Sequence, residues 1–444
     1  MRHFKNIIIG FGKAGKTLAN SLVKHGEEVL LIERDPQMYG GTCINVACLP
    51  TKNLVLNAQR GVAYEQAFAS KQALTGKLRE KNYHKVADQE LATVLDATAE
   101  FVDNQTIRVT DDQGSEELTF DRLFINTGAA SNVPAIPGVK LGKRIFASTE
   151  LLAQPKQVKH LAILGAGPIG LEFASMYANF GSQVTVINRH AGILGKFEPE
   201  VAQAAAADMA ADGVTFLHQS QLTRVTENAD GLTLTVTGPN GEQEVTADGL
   251  LLAVGRHPNT AALHLERTDL KVGKRGEVVV NDRLKTNLPG IYALGDVAGS
   301  PQFTFISLDD WRIMNNQLFG DQTRTRANRP TYATTVFLKP AISTVGATEA
   351  ELKTAGRDYR VLKMPAAVVP KTQVIGNPRG FYKALVDPES HQILGATIYA
   401  EEAYETINLI TLAIQRHLPA EALRDQIYTH PTMTEALNDL FGQL

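Results

Sequence analysis

The sequence predicts an α/β protein with two Rossmann-like nucleotide-binding domains, followed by a smaller α+β domain. Three observations support this fold class. A strand, glycine turn, helix, strand pattern occurs twice, beginning at residues 7 and 161. Further apolar strands that end in glycine follow each copy. Beyond residue 330 the pattern changes to short β-rich segments and then helices, as in α+β domains. The 444 residues are enough for about three domains.

The first copy of the pattern begins with the apolar strand 7–9 and a turn containing Gly10, Gly12 and Gly15. A helix follows, and then a strand that ends at Glu33. This spacing fits the dinucleotide fingerprint. Glycines permit the tight turn, and the helix N-terminus offers N–H donors to a pyrophosphate.

The second copy places Gly165, Gly167 and Gly170 after the strand 161–164, with a helix and the strand 184–189 behind them. One glycine fingerprint is weak evidence, but two in full strand–helix–strand context predict two nucleotide sites. Glycine turns that bind no ligand are the alternative.

Later strands add candidate residues at their carboxyl ends, where ligands of open α/β sheets bind. One buried strand runs into Thr127 and Gly128, and another runs into Gly255. A turn and strand over 287–294 lead to the acidic residue Asp296.

These signals divide the chain into four predicted parts. They are a first nucleotide domain over 1–147, a second over 148–265, a central segment over 266–330 and a C-terminal domain over 331–444. The polar stretch 321–330 is interpreted as a linker whose arginines face solvent.

Both cysteines of the chain lie in the stretch 40–52, as Cys43 and Cys48. On a regular helix, positions five apart have Cα atoms about 8–9 Å apart, whereas a disulfide needs about 4.4–6.8 Å. The pair can therefore bridge only where a helix begins with a distorted backbone, and Pro50 suits a first turn. A helix N-terminus also favours thiolate over thiol. We predict a redox-active disulfide, with a structural staple or two inert thiols as the alternative.

Bulk composition narrows the choice of partners and location. The net charge of −3 gives no indication of nucleic acid or of an anionic membrane. No run of 18 apolar residues and no signal sequence is recognisable. We expect a cytoplasmic protein, and a disulfide in that compartment is more often catalytic than structural.

Together these features resemble the flavin-dependent pyridine nucleotide–disulfide oxidoreductases, which include glutathione reductase, dihydrolipoamide dehydrogenase and mercuric reductase. The resemblance covers essentially the whole chain. Residues 38–45 and 303–312 look most similar to the bacterial reactive-chlorine-resistance flavoproteins, which act as hypothiocyanous acid reductases. The second segment discriminates better, because the first is widely shared.

The resemblance implies FAD at the first fingerprint and NADPH or NADH at the second. Glu33 should bind the adenosine ribose of FAD, and Asp296 should face its ribityl and pyrophosphate groups. The full sets are Gly10, Gly12, Gly15, Glu33, Gly41, Thr42, Lys52, Thr127, Gly128 and Asp296 for FAD, and Gly165, Gly167, Gly170, Asn188, Arg189 and Gly255 for the nicotinamide nucleotide.

The resemblance also implies the catalytic roles. Cys48 would be the flavin-proximal thiol and Cys43 the interchange thiol. Lys52 and Glu172 would form an ion pair near the flavin, with plain first-turn helix charges as the alternative. His430, oriented by Glu435, would be the general acid/base and would reach the partner's cysteines in a homodimer. Taken alone, a histidine before proline is more often a loop residue.

Nucleotide preference depends on the end of the second fingerprint. Asn188 stands where NADH-preferring members carry a glutamate, and Arg189 could pair with a 2′-phosphate. We therefore favour NADPH, with NADH as the alternative.

The predicted substrate is a small electrophilic oxidant, foremost hypothiocyanous acid. Asn20 and Ser21 replace the arginines that hold glutathione in glutathione reductases, and no third cysteine is present for mercury. In the predicted cycle Cys43 attacks the oxidant and Cys48 resolves the adduct. A dihydrolipoamide dehydrogenase, a copper(II) or mercury(II) reductase, and a non-catalytic flavoprotein sensor remain the alternatives.

Overall fold

A computed structural model describes all residues, 1–444. The chain forms 13 α-helices and 22 β-strands in five sheets, and the predicted α/β class is confirmed. None of the helices combines the length and the apolar character needed to cross a membrane.

The first domain is built on a sheet with the strand order β3-β2-β1-β6-β5-β4, in which β1 pairs in parallel with β2 and β6. A short strand, β7, follows β6 in the chain but is not part of this sheet. The elements are β1 (Arg2–Ile9), α1 (Lys13–Lys24), β2 (Val29–Glu33), α2 (Thr42–Asn45), α3 (Cys48–Gln59), α4 (Tyr64–Ala87), β3 (Ala92–Asp96), β4 (Thr98–Phe101), β5 (Thr106–Thr110), β6 (Ser115–Ile125) and β7 (Ala129–Ser131).

The uniformly apolar β1 is explained by burial on both faces of this sheet. Ile7 and Ile9 pack into the core around Phe101, whereas Ile8 packs into the core that includes Leu18 of α1. The glycine turn between β1 and α1 is thereby held at the carboxyl edge of the sheet.

The second domain repeats this arrangement with the strand order β11-β10-β9-β15-β8 and adds an antiparallel meander. Its sheet includes β8, in which Ile145 pairs with Leu250. The elements are β8 (Ile145–Phe146), α5 (Ser148–Leu152), β9 (His160–Leu164), α6 (Pro168–Asn179), β10 (Gln183–Ile187), α7 (Pro199–Ala211), β11 (Val214–Leu217), β12 (Gln221–Glu227), β13 (Leu232–Gly238), β14 (Gly241–Ala247), β15 (Gly249–Leu252) and β16 (Arg256–Pro258), which pairs with β7.

The central segment returns to the first domain. Its strand β17 (Ile291–Ala293) pairs in parallel with β6, and α8 (Thr304–Phe319) follows it. Asp296 lies just beyond the carboxyl end of β17, in a short 3₁₀ turn over Gly295–Ala298. The segment thus completes the first sheet and brings Asp296 to the edge where the Gly10 turn lies.

Most of the polar stretch 321–330 is exposed, as expected of a linker, but the prediction that its arginines face solvent is wrong for Arg329. Arg329 is almost buried and pairs with both Asp309 and Asp310 of α8, while Arg324 pairs with Asp309. Two neighbouring acidic side chains on the buried side of α8 therefore fix this stretch.

The C-terminal domain is a five-stranded antiparallel sheet, order β18-β19-β22-β21-β20, packed on helices. The β-rich segments and the later helices that the sequence predicts beyond residue 330 are both present. The elements are β18 (Thr334–Val336), β19 (Ala341–Gly346), α9 (Glu349–Thr354), β20 (Arg360–Pro365), α10 (Pro370–Ile375), β21 (Phe381–Val386), β22 (Ile393–Ala400), α11 (Ala403–Gln415), α12 (Glu421–Arg424) and α13 (Ala436–Phe441).

Candidate active site

The cysteine segment spans a break between two helices. Cys43 is the second residue of α2, and Cys48 is the first residue of α3. Val46 and Ala47 lie between the two helices, and their φ values of −141° and −145° are far from the helical range. The expected distortion at a helix start is present, with Pro50 in the first turn of α3.

The two sulfurs are free thiols in this structure, and both residues are half-buried. The Cys43 thiol donates a hydrogen bond to Cys48, which holds the pKa of Cys43 well above its usual range. The same bond lowers the pKa of Cys48 to about 6, helped by the Thr304 hydroxyl, 3.6 Å from its sulfur, and by Lys52. The pair is therefore polarised, with the thiolate at Cys48.

Lys52 and Glu172 form an ion pair with 2.6 Å between Nζ and Oε2. Lys52 lies on α3, one turn beyond Cys48, and Glu172 lies on α6 of the second domain. Phe337 completes the contact from the C-terminal domain. Its N–H donates to Glu172 Oε1 over 3.0 Å, and its ring lies 4.6 Å from the Lys52 ammonium. The pair is fixed from three parts of the chain.

The first glycine turn forms a close backbone crossing. Gly10 has φ +107°, and a Cβ there would lie 2.4 Å from the Asn126 carbonyl oxygen. A Cβ on Gly15 would meet the Gly10 carbonyl at 2.5 Å. Gly12 is the N-cap of α1 and supplies no side-chain cap, so the N–H groups of Lys13 and Ala14 are available to an anion, whereas the Gly15 N–H donates to Asn126 Oδ1.

Carboxylates flank this turn on neighbouring strands. Glu33 at the end of β2 accepts hydrogen bonds from the backbone of Phe11 and Asp35, at 2.9 and 3.2 Å, and burial raises its pKa. Burial also raises the pKa of Asp296 to about 6, although Arg256 opposes the shift. These acceptors, next to an uncapped helix terminus, fit the ribose, ribityl and pyrophosphate groups of FAD.

The remaining predicted FAD residues lie around the same turn. Gly41 packs the cysteine segment against it, since a Cβ there would lie 2.7 Å from the Cα of Gly12. Thr42 begins α2. The Thr127 hydroxyl is used within the protein, where it donates to the Asn259 carbonyl over 2.8 Å, and Gly128 follows with φ +73°.

The second glycine turn has the same construction. Gly165 has φ +110°, and a Cβ there would lie 2.5 Å from the Ala253 carbonyl oxygen. Gly167 is the N-cap of α6 without a side-chain cap, and a Cβ on Gly170 would meet Gly165. Gly255 follows β15 with φ +101°. A second uncapped helix terminus is thus ready for a pyrophosphate.

The residues predicted to select between NADPH and NADH differ from one another in burial. Asn188 is buried, and its amide donates to the carbonyls of His190 and Gly192 while its Oδ1 accepts from the His190 N–H. Asn188 therefore fixes the backbone conformation of the loop 188–192. Arg189 and His190 are exposed beside it.

His430 lies in the loop between α12 and α13, and its side chain is 66% exposed. Its Nδ1 is 2.8 Å from Glu435 Oε2, and Glu435 Oε1 also accepts from the Thr432 N–H. Within one chain no hydrogen bond joins His430 to the cysteine segment. The predicted orienting contact with Glu435 is present.

Several residues of the site were missed by the sequence analysis. Thr304 contacts Cys48 from more than 250 positions away, and no local pattern predicts that contact. Asn126 joins the first turn to β17 by accepting from the Gly15 N–H and donating to the Leu294 carbonyl. An asparagine at the end of an otherwise apolar strand was a recognisable signal. Lys16 of α1 is also buried beneath the cysteine segment.

No group of three or more histidine, cysteine, aspartate or glutamate side chains is arranged to hold a metal ion. The groups that could do chemistry in this region are the thiol pair, the Lys52–Glu172 ion pair and the two glycine turns.

Comparison with known proteins gives a consistent result. The family model "Pyridine nucleotide-disulphide oxidoreductase" matches residues 4–310, and that of its dimerisation domain matches residues 332–441. The probable pyridine nucleotide-disulfide oxidoreductase RclA of Escherichia coli (strain K12) is 41% identical over 442 residues, with 100% of this chain and 99% of that protein covered. The mercuric reductase of Staphylococcus aureus is 31% identical over 448 residues, with 97% and 80% covered.

A solved structure is similar over the full length. It is the Cu(II) complex of the HOCl-induced flavoprotein disulfide reductase RclA from Escherichia coli, with a TM-score of 0.96, 41% identity and 100% of both chains covered. The backbone that holds the cysteine segment and both cradles is therefore similar in the two proteins.

Proposed function

The chain belongs to the pyridine nucleotide–disulphide oxidoreductases, and on that premise we propose that it reduces a small electrophilic oxidant through the Cys43–Cys48 pair. The electrons would come from a nicotinamide nucleotide. FAD, when bound, would accept hydride from that nucleotide and pass two electrons to the cysteines. Hypothiocyanous acid is the proposed oxidant.

The observation that carries the proposal is the position of Cys43 and Cys48 on either side of the break between α2 and α3, where a hydrogen bond joins the two thiols. In the proposed cycle the Cys43 proton passes to Cys48, and Cys43 then acts as the nucleophile. Its thiolate attacks the sulfur of hypothiocyanous acid, forming a sulfenyl thiocyanate and displacing hydroxide, which leaves as water. Cys48 then attacks the Cys43 sulfur, the disulfide forms and thiocyanate leaves. One thiol, one thiolate and the oxidant yield a disulfide, thiocyanate and water.

Proton transfer at these sulfurs needs a group that can both accept and donate. We assign this role to His430 of a second subunit, oriented by Glu435. The match of residues 332–441 to a dimerisation domain and the exposure of His430 support a homodimer in which the loop reaches the partner's cysteines.

The surroundings of α1 support a small substrate. The Ser21 hydroxyl accepts a hydrogen bond from the Trp311 indole over 2.9 Å, so this position packs α1 on α8. Neither Ser21 nor Asn20 offers a cation for a glutathione carboxylate.

We favour NADPH as the electron donor, because exposed Arg189 and His190 stand at the end of the second fingerprint and no carboxylate replaces Asn188. The proposed location is the cytoplasm, where a pair that must be reduced in every cycle has nicotinamide nucleotide available.

Anaerobic steady-state turnover tests the proposal with NADH and NADPH against hypothiocyanous acid, lipoamide, glutathione disulfide, copper(II) and mercury(II). We expect the highest kcat/KM for hypothiocyanous acid with NADPH, and its loss in Cys43→Ser. Lipoamide as the fastest substrate would show a dihydrolipoamide dehydrogenase instead. Full oxidant reduction by Cys43→Ser would exclude the disulfide mechanism.

Metal-ion reduction is the second candidate. It is favoured by the soft thiolate at Cys48 and by the relatives whose names include mercuric reductase and a Cu(II) complex. Faster turnover with copper(II) or mercury(II) in the same panel would select this function.

A further inference from the structure

Lys383 of β21 is a buried lysine surrounded by three carboxylates. Only 3% of its side chain is exposed, and its Nζ lies 2.7 Å from Glu200 Oε1 and 3.4 Å from Glu198 Oε2. It also pairs with Glu349 of α9. Burial alone would lower the pKa of Lys383, but Glu200 and Glu349 outweigh burial and raise it. Because Glu198 and Glu200 belong to the second domain, this charged cluster joins that domain to the C-terminal domain.

Glu198 is the member of the cluster that leads toward the second glycine turn. It is the N-cap of α7 and ends the loop 189–197, which follows β10. Only 5% of the residue is exposed. Its Oε1 accepts from the Glu349 N–H over 2.8 Å, while its Oε2 faces Lys383. Both carboxylate oxygens of Glu198 are thus held by the C-terminal domain.

The same loop lies directly against the second glycine turn. Midway along it, the N–H of the buried Leu194 donates to the Ala166 carbonyl, between Gly165 and Gly167, over 3.4 Å. The start of the loop is fixed by the amide of Asn188. The loop that carries Arg189 is therefore held at its start, at its middle and, through the charged cluster, at its end.

We propose that Glu198 and Lys383 are positioning residues for the nicotinamide nucleotide, which hold the loop 189–197 so that the C-terminal domain sets the affinity of the second domain for that ligand. α7 is attached to the C-terminal domain at its other end as well, where Arg379 pairs with both oxygens of Asp212 at 2.8 and 2.9 Å. That contact lies about 20 Å from Glu198 along the helix. The proposal rests on the proposed function only in taking the second glycine turn as the nucleotide site.

The test measures nucleotide binding without any oxidant, by calorimetric titration of NADP⁺ and of NAD⁺ into the FAD-loaded protein. Glu198→Ala frees the end of the loop, so the nucleotide that the parent binds more tightly should bind about tenfold more weakly. Lys383→Met should weaken binding to a similar extent. The rate of flavin reduction at saturating NADPH or NADH should stay that of the parent, because a loosened loop lowers affinity but not hydride transfer from the bound nucleotide.

Arg379→Ala is the matched control. It removes an ion pair between the same helix and the same domain but leaves the end of the loop held, so it should bind nucleotide as the parent does. Equal loss of affinity in Arg379→Ala, or a saturating rate that falls together with the affinity, would show a general loosening of the domains and overturn the proposal.

Parental affinity in Glu198→Ala would overturn the proposal and leave the proposed function intact, whereas a parent that binds neither nucleotide would overturn both. Lys383→Met leaves three carboxylates without their shared cation. If that variant does not fold, Glu198→Ala decides alone.

Discussion

At the scale of single residues, the two cysteines divide one task because their surroundings differ. Cys48 begins α3 and receives hydrogen bonds from Cys43 and Thr304, which together stabilise a thiolate there. Cys43 lies in the short α2 and keeps its proton, because its S–H donates a hydrogen bond to Cys48. A dithiol of this kind is asymmetric before any substrate arrives, so the two sulfurs should titrate separately.

The first prediction concerns the pH dependence of Cys48. Its lowered pKa means that the thiolate persists as the pH falls and is lost only below about pH 6. Cys43→Ala removes the largest stabilising contact and should move this loss upward by at least about one pH unit. The thiolate absorbance of reduced protein, followed against pH, measures the shift.

Thr304→Val is a graded comparison for that experiment. It removes the weaker hydroxyl contact at 3.6 Å and should raise the pKa of Cys48 by less than Cys43→Ala does. Identical titrations of all three proteins would contradict the assignment of the thiolate to Cys48.

The second prediction concerns the Lys52–Glu172 ion pair. Glu172→Gln keeps an acceptor for the Phe337 N–H but removes the charge that fixes the Lys52 ammonium. A displaced Lys52 should slow reduction of the enzyme by the nicotinamide nucleotide by about tenfold or more, as misplacement of positioned groups does. Anaerobic stopped-flow reduction measures this half-reaction by itself.

Glu200→Gln is the control for this second prediction. Glu200 also pairs with lysines, Lys363 and Lys383, but at the contact between the second and C-terminal domains. The nicotinamide nucleotide should reduce the Glu200→Gln variant at the same rate as the parent protein. An unchanged rate in Glu172→Gln would assign the ion pair a structural role only.

At the scale of elements, local sequence patterns predicted the helices, strands and turns well. Contacts between residues far apart in the sequence could not be predicted from them. Both glycine turns and their helices were recognisable because the strand, the turn and the helix that form each cradle are contiguous. The helix break at Cys43 and Cys48 was recognisable for the same reason. The Arg329 contacts were misjudged, because burial of an arginine depends on carboxylates from another element, here Asp309 and Asp310 of α8.

Asp310, one of those carboxylates, connects α8 to the proposed cofactor site. Asp310 is fully buried, pairs with Arg329, and accepts from the Gly295 N–H over 2.7 Å, next to Asp296. Burial raises the pKa of Asp310 even beside this cation. The Asp310–Arg329 pair thus connects the segment after α8 to the turn that carries Asp296.

The third prediction follows from that connection. Arg329→Ala leaves Asp310 buried without its cation and should destabilise the protein by about 3–5 kcal/mol. It should also weaken FAD retention, because the Gly295–Asp296 turn loses its support. Urea unfolding and the flavin content after gel filtration measure the two effects.

Arg324→Ala tests whether burial is the cause. Arg324 is 35% exposed, against 10% for Arg329, and it pairs with Asp309 but not with Asp310. Its loss should cost less than about 1 kcal/mol. Equal destabilisation by the two substitutions would show that the buried charge of Asp310 is not what matters.

At the scale of the whole molecule, one chain assembles most of the proposed site but leaves the proposed acid/base, His430, away from the cysteines. Lys52, Glu172 and Phe337 come from the first, second and C-terminal domains and meet at one point. His430 is held by Glu435 yet contacts nothing in the cysteine segment of its own chain. The sequence resemblance implied this division, which no local pattern could have predicted.

The last prediction tests the division by complementation. Cys43→Ser and His430→Ala should each form inactive homodimers. In a heterodimer of the two, purified through different affinity tags, one site joins the intact cysteines of one subunit to His430 of the partner subunit. It should have about half the parental activity, because one of the two sites is whole. A heterodimer of Cys43→Ser with Cys48→Ser lacks a cysteine in both sites and should stay inactive. If His430 acts within its own chain, neither heterodimer recovers activity, so recovery in the first alone decides between the two arrangements.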